Sequence, residues 1–325
     1  MPAWILMVTL LASAVSQSAQ QKTALERGEY GPLDRALDTA LYDYPLKVSE
    51  HVYSAIGATQ PATYENAGHN NNLSFVVGSE AVLVVNGGSN NALARALHQE
   101  IRKVTDLPVR HVISENGQGH AVYGSHYWKS QGASIIGHVD AQHENNEKGF
   151  SGLVRMREYA KQFAEDTEVI DFDITFQNQY ELNLGGLLVI AKAYGSSHSP
   201  GDISVLIPDD RVVLAGDIAF HIRMPPIFDV TDTALWIESF DLFAEEVGGW
   251  TIVPGHGGPT DIAAVTVGTK DYLEFLRHKV QEILDQGGSL DDAYKVDQTR
   301  YRHWHTYEEL AARNAGRVFE RMEFE

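Results

Sequence analysis

The chain has 325 residues, 43% of them hydrophobic and 21% charged, which excludes a disordered polymer and supports a sizeable core. Its 44 acidic side chains outnumber 25 basic ones, and the formal net charge of -19 argues against a nucleic-acid partner. There are no cysteines, so disulfides, thiolate zinc ligands and cysteine nucleophiles are excluded, and any metal must use His, Asp, Glu or neutral oxygens.

Residues 5–12 form a short apolar run, followed by the small residues Ser13, Ala14, Ser16, Ser18 and Ala19. The pattern reads as a signal peptide over 1–19, cleaved between Ala14 and Ala19, and the run is too short to span a bilayer. It predicts export, to a periplasm or outside the cell, with no stable membrane anchor after cleavage. Residues 20–47 are polar and helix-leaning, a leader ahead of one domain over 48–325 with C-terminal helices.

Strand patterns begin at 48–56 and continue at 73–77 and 81–85, the last two joined by Gly78-Ser79-Glu80 as a hairpin. Helical spacing follows over 90–105, then strands at 109–114 and 134–139 and a helix at 153–164. Further strands are expected at 169–176, 180–184, 187–194, 203–208 and 212–214, then a helix at 231–247 and a strand at 250–253. Long helices at 262–286 and 308–322 close the chain. Alternating β and α patterns of this kind predict a layered fold.

Three motifs place a candidate ligand just beyond a predicted strand: His198-Ser199-Pro200-Gly201-Asp202, Ala215-Gly216-Asp217 and Val253-Pro254-Gly255-His256-Gly257-Gly258. Strand-end loops hold a side chain firmly yet leave it accessible, and neighbouring glycines let other groups approach. Two imidazoles and a carboxylate suit zinc, and equally a non-heme iron.

In this order the motifs resemble the second half of the metallo-β-lactamase superfamily, and the hairpin ending in Asn86-Gly87-Gly88 is similar to that family's early hairpin. The resemblance runs over roughly residues 48–279. It implies an α/β (α+β) fold, a four-layer αββα sandwich, in which His198 and His256 are metal ligands and Asp217 bridges two metals in dinuclear members. The family's H-x-H-x-D-H segment is degenerate here, reading Glu115-Asn116-Gly117-Gln118-Gly119-His120. Without a gap, Asn116 and Gln118 replace the first two histidines and His120 the aspartate. With a one-residue shift, slightly preferred because of the Tyr-Gly that follows, His120 matches the final histidine.

In either alignment the metal set is His120, His198, Asp217 and His256, with one zinc ion rather than two, or iron. Asn116 and Gln118 stand beside it as substrate or supporting groups, and Asn86 replaces a carboxylate that would orient a histidine. His69 and His221 are candidates for contact with substrate, while Glu115 or Asp217 would serve as base. The reading is a metal-dependent hydrolase of a small or medium neutral substrate, in which a metal lowers the pKa of water so that it attacks an ester, lactone, thioester or amide carbonyl. A mononuclear iron dioxygenase and a non-catalytic binding protein on the same scaffold are the alternatives.

Overall fold

The computed structural model describes residues 39–325, so the signal-peptide reading and most of the leader lie outside the described residues. Seven strands form one sheet in chain order: β1 (Leu46–Lys47), β2 (Val52–Ala55), β3 (Leu73–Val77), β4 (Val82–Val85), β5 (Val109–Ile113), β6 (Ser134–His138) and β7 (Ile174–Phe176). Pairing is antiparallel from β1 to β4 and parallel from β4 to β7. The second sheet runs β12-β11-β10-β9-β8, from β8 (Gln179–Asn183), β9 (Leu188–Lys192), β10 (Ser204–Ile207), β11 (Val212–Phe220) and β12 (Thr251–His256). Its first four strands in sequence are antiparallel, and β12 joins β11 in parallel.

The central strands β4, β10 and β11 are apolar on both faces, and the two-residue period of a strand sorts their side chains into separate layers. In β4, Leu83 and Val85 point to the core between the sheets, while Val82 and Val84 point to the outer helices. In β11, Val212 and Leu214 face inward and Val213 and Ala215 face outward. Helix α1 (Asn91–Val104) covers the first sheet with Leu93, Leu97 and Ile101, its start capped by Asn90 Oδ1 accepting from Leu93 N–H. The short helices α2 (Gly119–Val122) and α3 (Ser125–Ser130) and the longer α4 (Val139–Ala160) follow on this side. The second sheet is covered by α5 (Thr233–Val247), with Trp236, Phe240 and Phe243, and by the C-terminal helices. The result is the four-layer αββα sandwich.

Several elements differ from their sequence patterns. The sheet starts at Leu46, and Leu41 is already buried against the first sheet's helical side. Helix α4 begins at Val139 rather than 153, because its buried face carries Asn145 and Gly149, which no apolar pattern reveals. Asn145 Nδ2 donates to the Ile170 carbonyl, so the polar residue is satisfied inside. Strand β11 continues through Phe220 and takes in Asp217, where the sequence suggested a loop. The helix expected over 262–286 is interrupted. A first turn, α6 (Ile262–Val265), passes through a π-helical turn (Thr266–Lys270) into α7 (Asp271–Asp285). That turn caps β11: Thr269 Oγ1 accepts from Phe220 N–H, and a Cβ on Gly268 would sit 2.3 Å from the Phe220 carbonyl. Leu290–Ala293 (α8) and Tyr307–Met322 (α9) complete the helical layer.

Trp236 links this layer to the strand ends, donating from Nε1 to the Ile218 carbonyl at 3.0 Å and packing on His198 and Phe220. Trp236→Ala is expected to cost about 3–5 kcal/mol, measured as a shift in the urea unfolding midpoint at constant m.

Candidate metal centre

The cluster forms where β5 and β12 end, β10 begins and β11 kinks. β11 slips in register against β12 on both sides of Gly216, whose φ of 68° lies in the left-handed region. A Cβ there would meet Glu115 Oε2 at 2.5 Å, so only glycine lets the strand kink beside that carboxylate. The kink places Asp217 in the interior, and Gly255 on β12 accommodates it, since a Cβ at 255 would lie 2.2 Å from Asp217 Oδ1. Asn72 clamps the end of β12, its Nδ2 donating to the Pro254 and Gly257 carbonyls, each at 2.7 Å. The loop after β5 is held to the second sheet by Ile203 N–H donating to the Glu115 carbonyl at 2.8 Å. Asn86 Oδ1 accepts from Glu115 N–H at 3.1 Å, while its Nδ2 donates to the Asn72 carbonyl. Asp202 folds the His198 loop, accepting from Ser197 Oγ, Ser199 N–H and Ser199 Oγ at 2.6–2.7 Å.

Asp217 is the hub. Its Oδ1 lies 3.4 Å from His256 Nε2, and its Oδ2 lies 3.5 Å from His120 Nε2 and 3.7 Å from His198 Nδ1. Asn116 Nδ2 donates to Oδ2 at 3.4 Å. Glu115 Oε1 is 3.2 Å from His120 Nε2. His256 Nδ1 donates to the Asn70 carbonyl, which fixes the tautomer and leaves the Nε2 lone pair aimed at Asp217. Asp217 Oδ1 has no hydrogen-bond partner of its own. Two acceptors thus face each other at 3.4 Å, and something positive, a proton or a cation, belongs between them.

Burial governs the charges. It pushes Glu115 up to about 8, and it pushes Asp217 up to about 8 with the added repulsion of Glu115. The histidines are held neutral: burial lowers His198 to about 3 and His256 well below the ordinary imidazole value, and it lowers His120 against the opposing pull of Asp217. Neutral imidazoles beside two buried carboxylates, with Arg223 the nearby positive charge that attracts Asp217, form a donor set a divalent cation takes. Glu115, His120 and Asp217 each offer a ligand atom within 4.8 Å of the others, and His256 adds the lone pair already described. The residues present therefore fit a single metal ion.

His198 differs from the other two histidines. Gln118 Nε2 donates to its Nδ1 at 3.2 Å, so the lone pair nearest Asp217 is already used. Its ring packs among Phe220, Phe228 and Trp236, and Nε2 is buried without a partner. Glu115, read from the sequence as a possible base, sits within the ligand group. Asn116 and Gln118 both reach the cluster, whereas position 117 faces away, since a Cβ on Gly117 would meet the Ala141 carbonyl at 2.3 Å. The shifted alignment puts ligand positions at 115, 117 and 120, of which 115 and 120 lie in the cluster and 117 does not, so each alignment accounts for part of the geometry.

His69 is fully buried, and its Nδ1 accepts from Tyr42 N–H at 2.8 Å. Burial lowers its pKa to about 3, its Nε2 is buried without a hydrogen-bond partner, and its backbone bonds Asn66 and Ala58, so it braces the loop before β3. His221 is half-buried, with Nδ1 3.5 Å from the Gly258 carbonyl. Arg223 escaped the sequence reading. It is buried, with Nη1 3.4 Å from the Gln60 carbonyl and 3.3 Å from His256 Nδ1. A lone arginine in the apolar stretch His221-Ile222-Arg223-Met224 was the one available signal.

Residues 121–256 match the family profile of the metallo-beta-lactamase superfamily. Among solved structures, a stereoselective inverting sec-alkylsulfatase from Pseudomonas sp. aligns with TM-score 0.67 and 14% identity over 86% of this chain and 50% of its own. A double mutant of a sec-alkyl sulfatase aligns with TM-score 0.68 and 16% identity, over the same shares of the two chains. This chain spans about half the length of those sulfatase chains. A metallo-beta-lactamase from Pontibacter korlensis aligns with TM-score 0.58 and 15% identity over 71% of this chain and 98% of its own. DIM-1 metallo-beta-lactamase, solved after exposure to ceftazidime, gives 0.57 and 17% over 71% and 96%. The chain carries the metallo-β-lactamase fold, and its central segment carries that superfamily's sequence pattern, as the resemblance in the sequence implied.

Above the ordinary imidazole value of 6.5, the histidines are neutral in both the folded and the unfolded chain, so the Glu115–Asp217 pair decides the pH dependence there. The unfolded chain has lost both protons by that pH, while the folded, metal-free cluster retains protons up to about 8. Stability of chelated protein should therefore fall as pH rises from 6.5 to 8. Calorimetric Tm should show that slope, and Glu115→Gln should flatten it.

Proposed function

We propose that this protein is a metal-dependent hydrolase of small molecules, with a single cation held by His120, Asp217 and His256. The reading rests on the two facing acceptors, His256 Nε2 and Asp217 Oδ1, with His120 Nε2 converging on the same carboxylate. A zinc or iron ion bound there would polarise a substrate oxygen and make water reactive near neutral pH. The other steps belong to the chain. Burial holds Glu115 protonated near neutral pH while no cation is present; a bound cation would favour its ionised form, and the carboxylate, with Oε1 3.2 Å from His120 Nε2, would then accept the proton that the attacking water gives up. Asn86 positions Glu115 through its backbone, and Asn70 fixes the tautomer of His256. Carbonyl substrates such as esters, lactones, thioesters and amides suit this arrangement. The hydrolases among the structural neighbours are consistent with it.

Elemental analysis of protein purified without chelators should give about one zinc or iron per chain, and His120→Ala or Asp217→Asn should lower occupancy by at least about tenfold. Native protein that takes up no metal after reconstitution would sink the proposal. Glu115→Gln should keep its metal yet lose about 100-fold or more in turnover. Loss of metal in that variant would make Glu115 a ligand instead.

We further propose that the protein acts after export, on the apolar run 5–12 and the small residues that follow it. Mass spectrometry of protein from the exported fraction should place the mature N-terminus just after a residue between Ala14 and Ala19.

A further inference from the structure

Beside His120 a pocket of about 410 Å³ opens between the α2 loop and α4. Its size suits a small organic ligand. Tyr123, Met156, Tyr159 and Phe228 form its apolar walls. Helix α4 presents Glu144, Lys148, Gly152 and Arg155 on one side, the three- and four-residue spacing that stacks side chains along a helix face.

The floor is Tyr123, and its placement relates the two ends of the pocket. A Cβ on Gly119, the residue before His120, would meet the Tyr123 ring at 2.3 Å. A Cβ on Gly152 would meet the Tyr123 hydroxyl at 2.1 Å and the Arg155 guanidinium at 3.7 Å. The hydroxyl is held there by donating to the Gly149 carbonyl at 2.8 Å. Tyr123 therefore runs from the backbone beside His120 to the turn of α4 that carries Arg155. Lys148 Nζ is 3.3 Å from Glu144 Oε1, so those two charges cancel locally. Asp229 also lines the pocket, so its two acidic and two basic side chains balance, but among the described residues no carboxylate lies within ion-pair distance of Arg155, which leaves that guanidinium as the unpaired cation at its end of the pocket. That local cation changes the expectation of a neutral substrate drawn from overall charge.

We propose that this pocket selects a small anionic substrate, an aryl or short acyl ester carrying a carboxylate about one ring-length from the reacting carbonyl, and that Arg155 receives the carboxylate. The inference rests on the hydrolase reading for its reaction and on the pocket alone for its ligand. A planar group lies on Tyr123, its carbonyl toward His120 and its carboxylate on the guanidinium. Arginine suits this role because its planar fork matches a carboxylate.

The test uses full-length, metal-replete protein and two esters that differ in one charge, 4-acetoxybenzoate and its methyl ester. Wild type should prefer the anion. Arg155→Met should lower the ratio of kcat/KM, anion over methyl ester, about tenfold and chiefly through KM, and Arg155→Lys should recover part of it. Calorimetry with 4-hydroxybenzoate supplies a readout free of turnover, with Kd rising by a similar factor in Arg155→Met. An unchanged ratio together with unchanged 4-hydroxybenzoate affinity overturns the assignment of Arg155, and so does a wild-type preference for the methyl ester. Arg155-dependent binding without turnover of either ester overturns the hydrolase reading and leaves the pocket standing. Neither turnover nor binding overturns both.

Discussion

A carboxylate buried where two sheets end, attracted by the nearby Arg223 but not paired with it, is the constraint around which this molecule is arranged. Asp217 cannot hold its charge in that place without help, because burial and Glu115 both oppose it. The fold nonetheless fixes it there, through the kink at Gly216, the space left by Gly255 and the clamp of Asn72 on β12. Three histidines kept neutral by burial face the same point. Each of these groups is costly alone, and their combination becomes favourable once a cation joins them.

The supporting groups are divided between the sheets in a way that ties the centre to global stability. Glu115 follows a strand of the first sheet yet is held by Ile203 at the edge of the second. Asn72 leads into β3 of the first sheet and grips β12 of the second. A change in the packing of one sheet on the other would displace ligands that arise from both. The core between the sheets, with Leu83, Val85, Val205 and Leu214, is thus part of the site's precision.

Much of this was legible beforehand. The strand-end motifs around His198, Asp217 and His256 combine uncommon ligand types with flanking glycines, and that combination survives in one dimension. The layered fold was legible from the alternation of strand and helix patterns along the chain, and the two sheets with their covering helices bear it out. Other features depend on direction rather than identity. Spacing alone fits both alignments of residues 115–120, and which of these side chains reach the cluster depends on the direction of the loop. The hydrogen bond that occupies the lone pair of His198, the guanidinium of Arg223 behind His256 and the long polar start of α4 all arise from tertiary placement. The continuation of β11 through Asp217 was hidden because Gly216 looks like the end of a strand.

The amide that Gln118 presents to His198 has a consequence for how the protein matures. Half of the site is closed by a hydrogen bond between neutral groups, which forms without any ion. Asn116 likewise anchors Asp217 from within the chain. The architecture can therefore assemble empty and receive its ion as the final step. On the proposed metal-dependent reading, metal supply would govern how many folded molecules are competent rather than how many molecules fold.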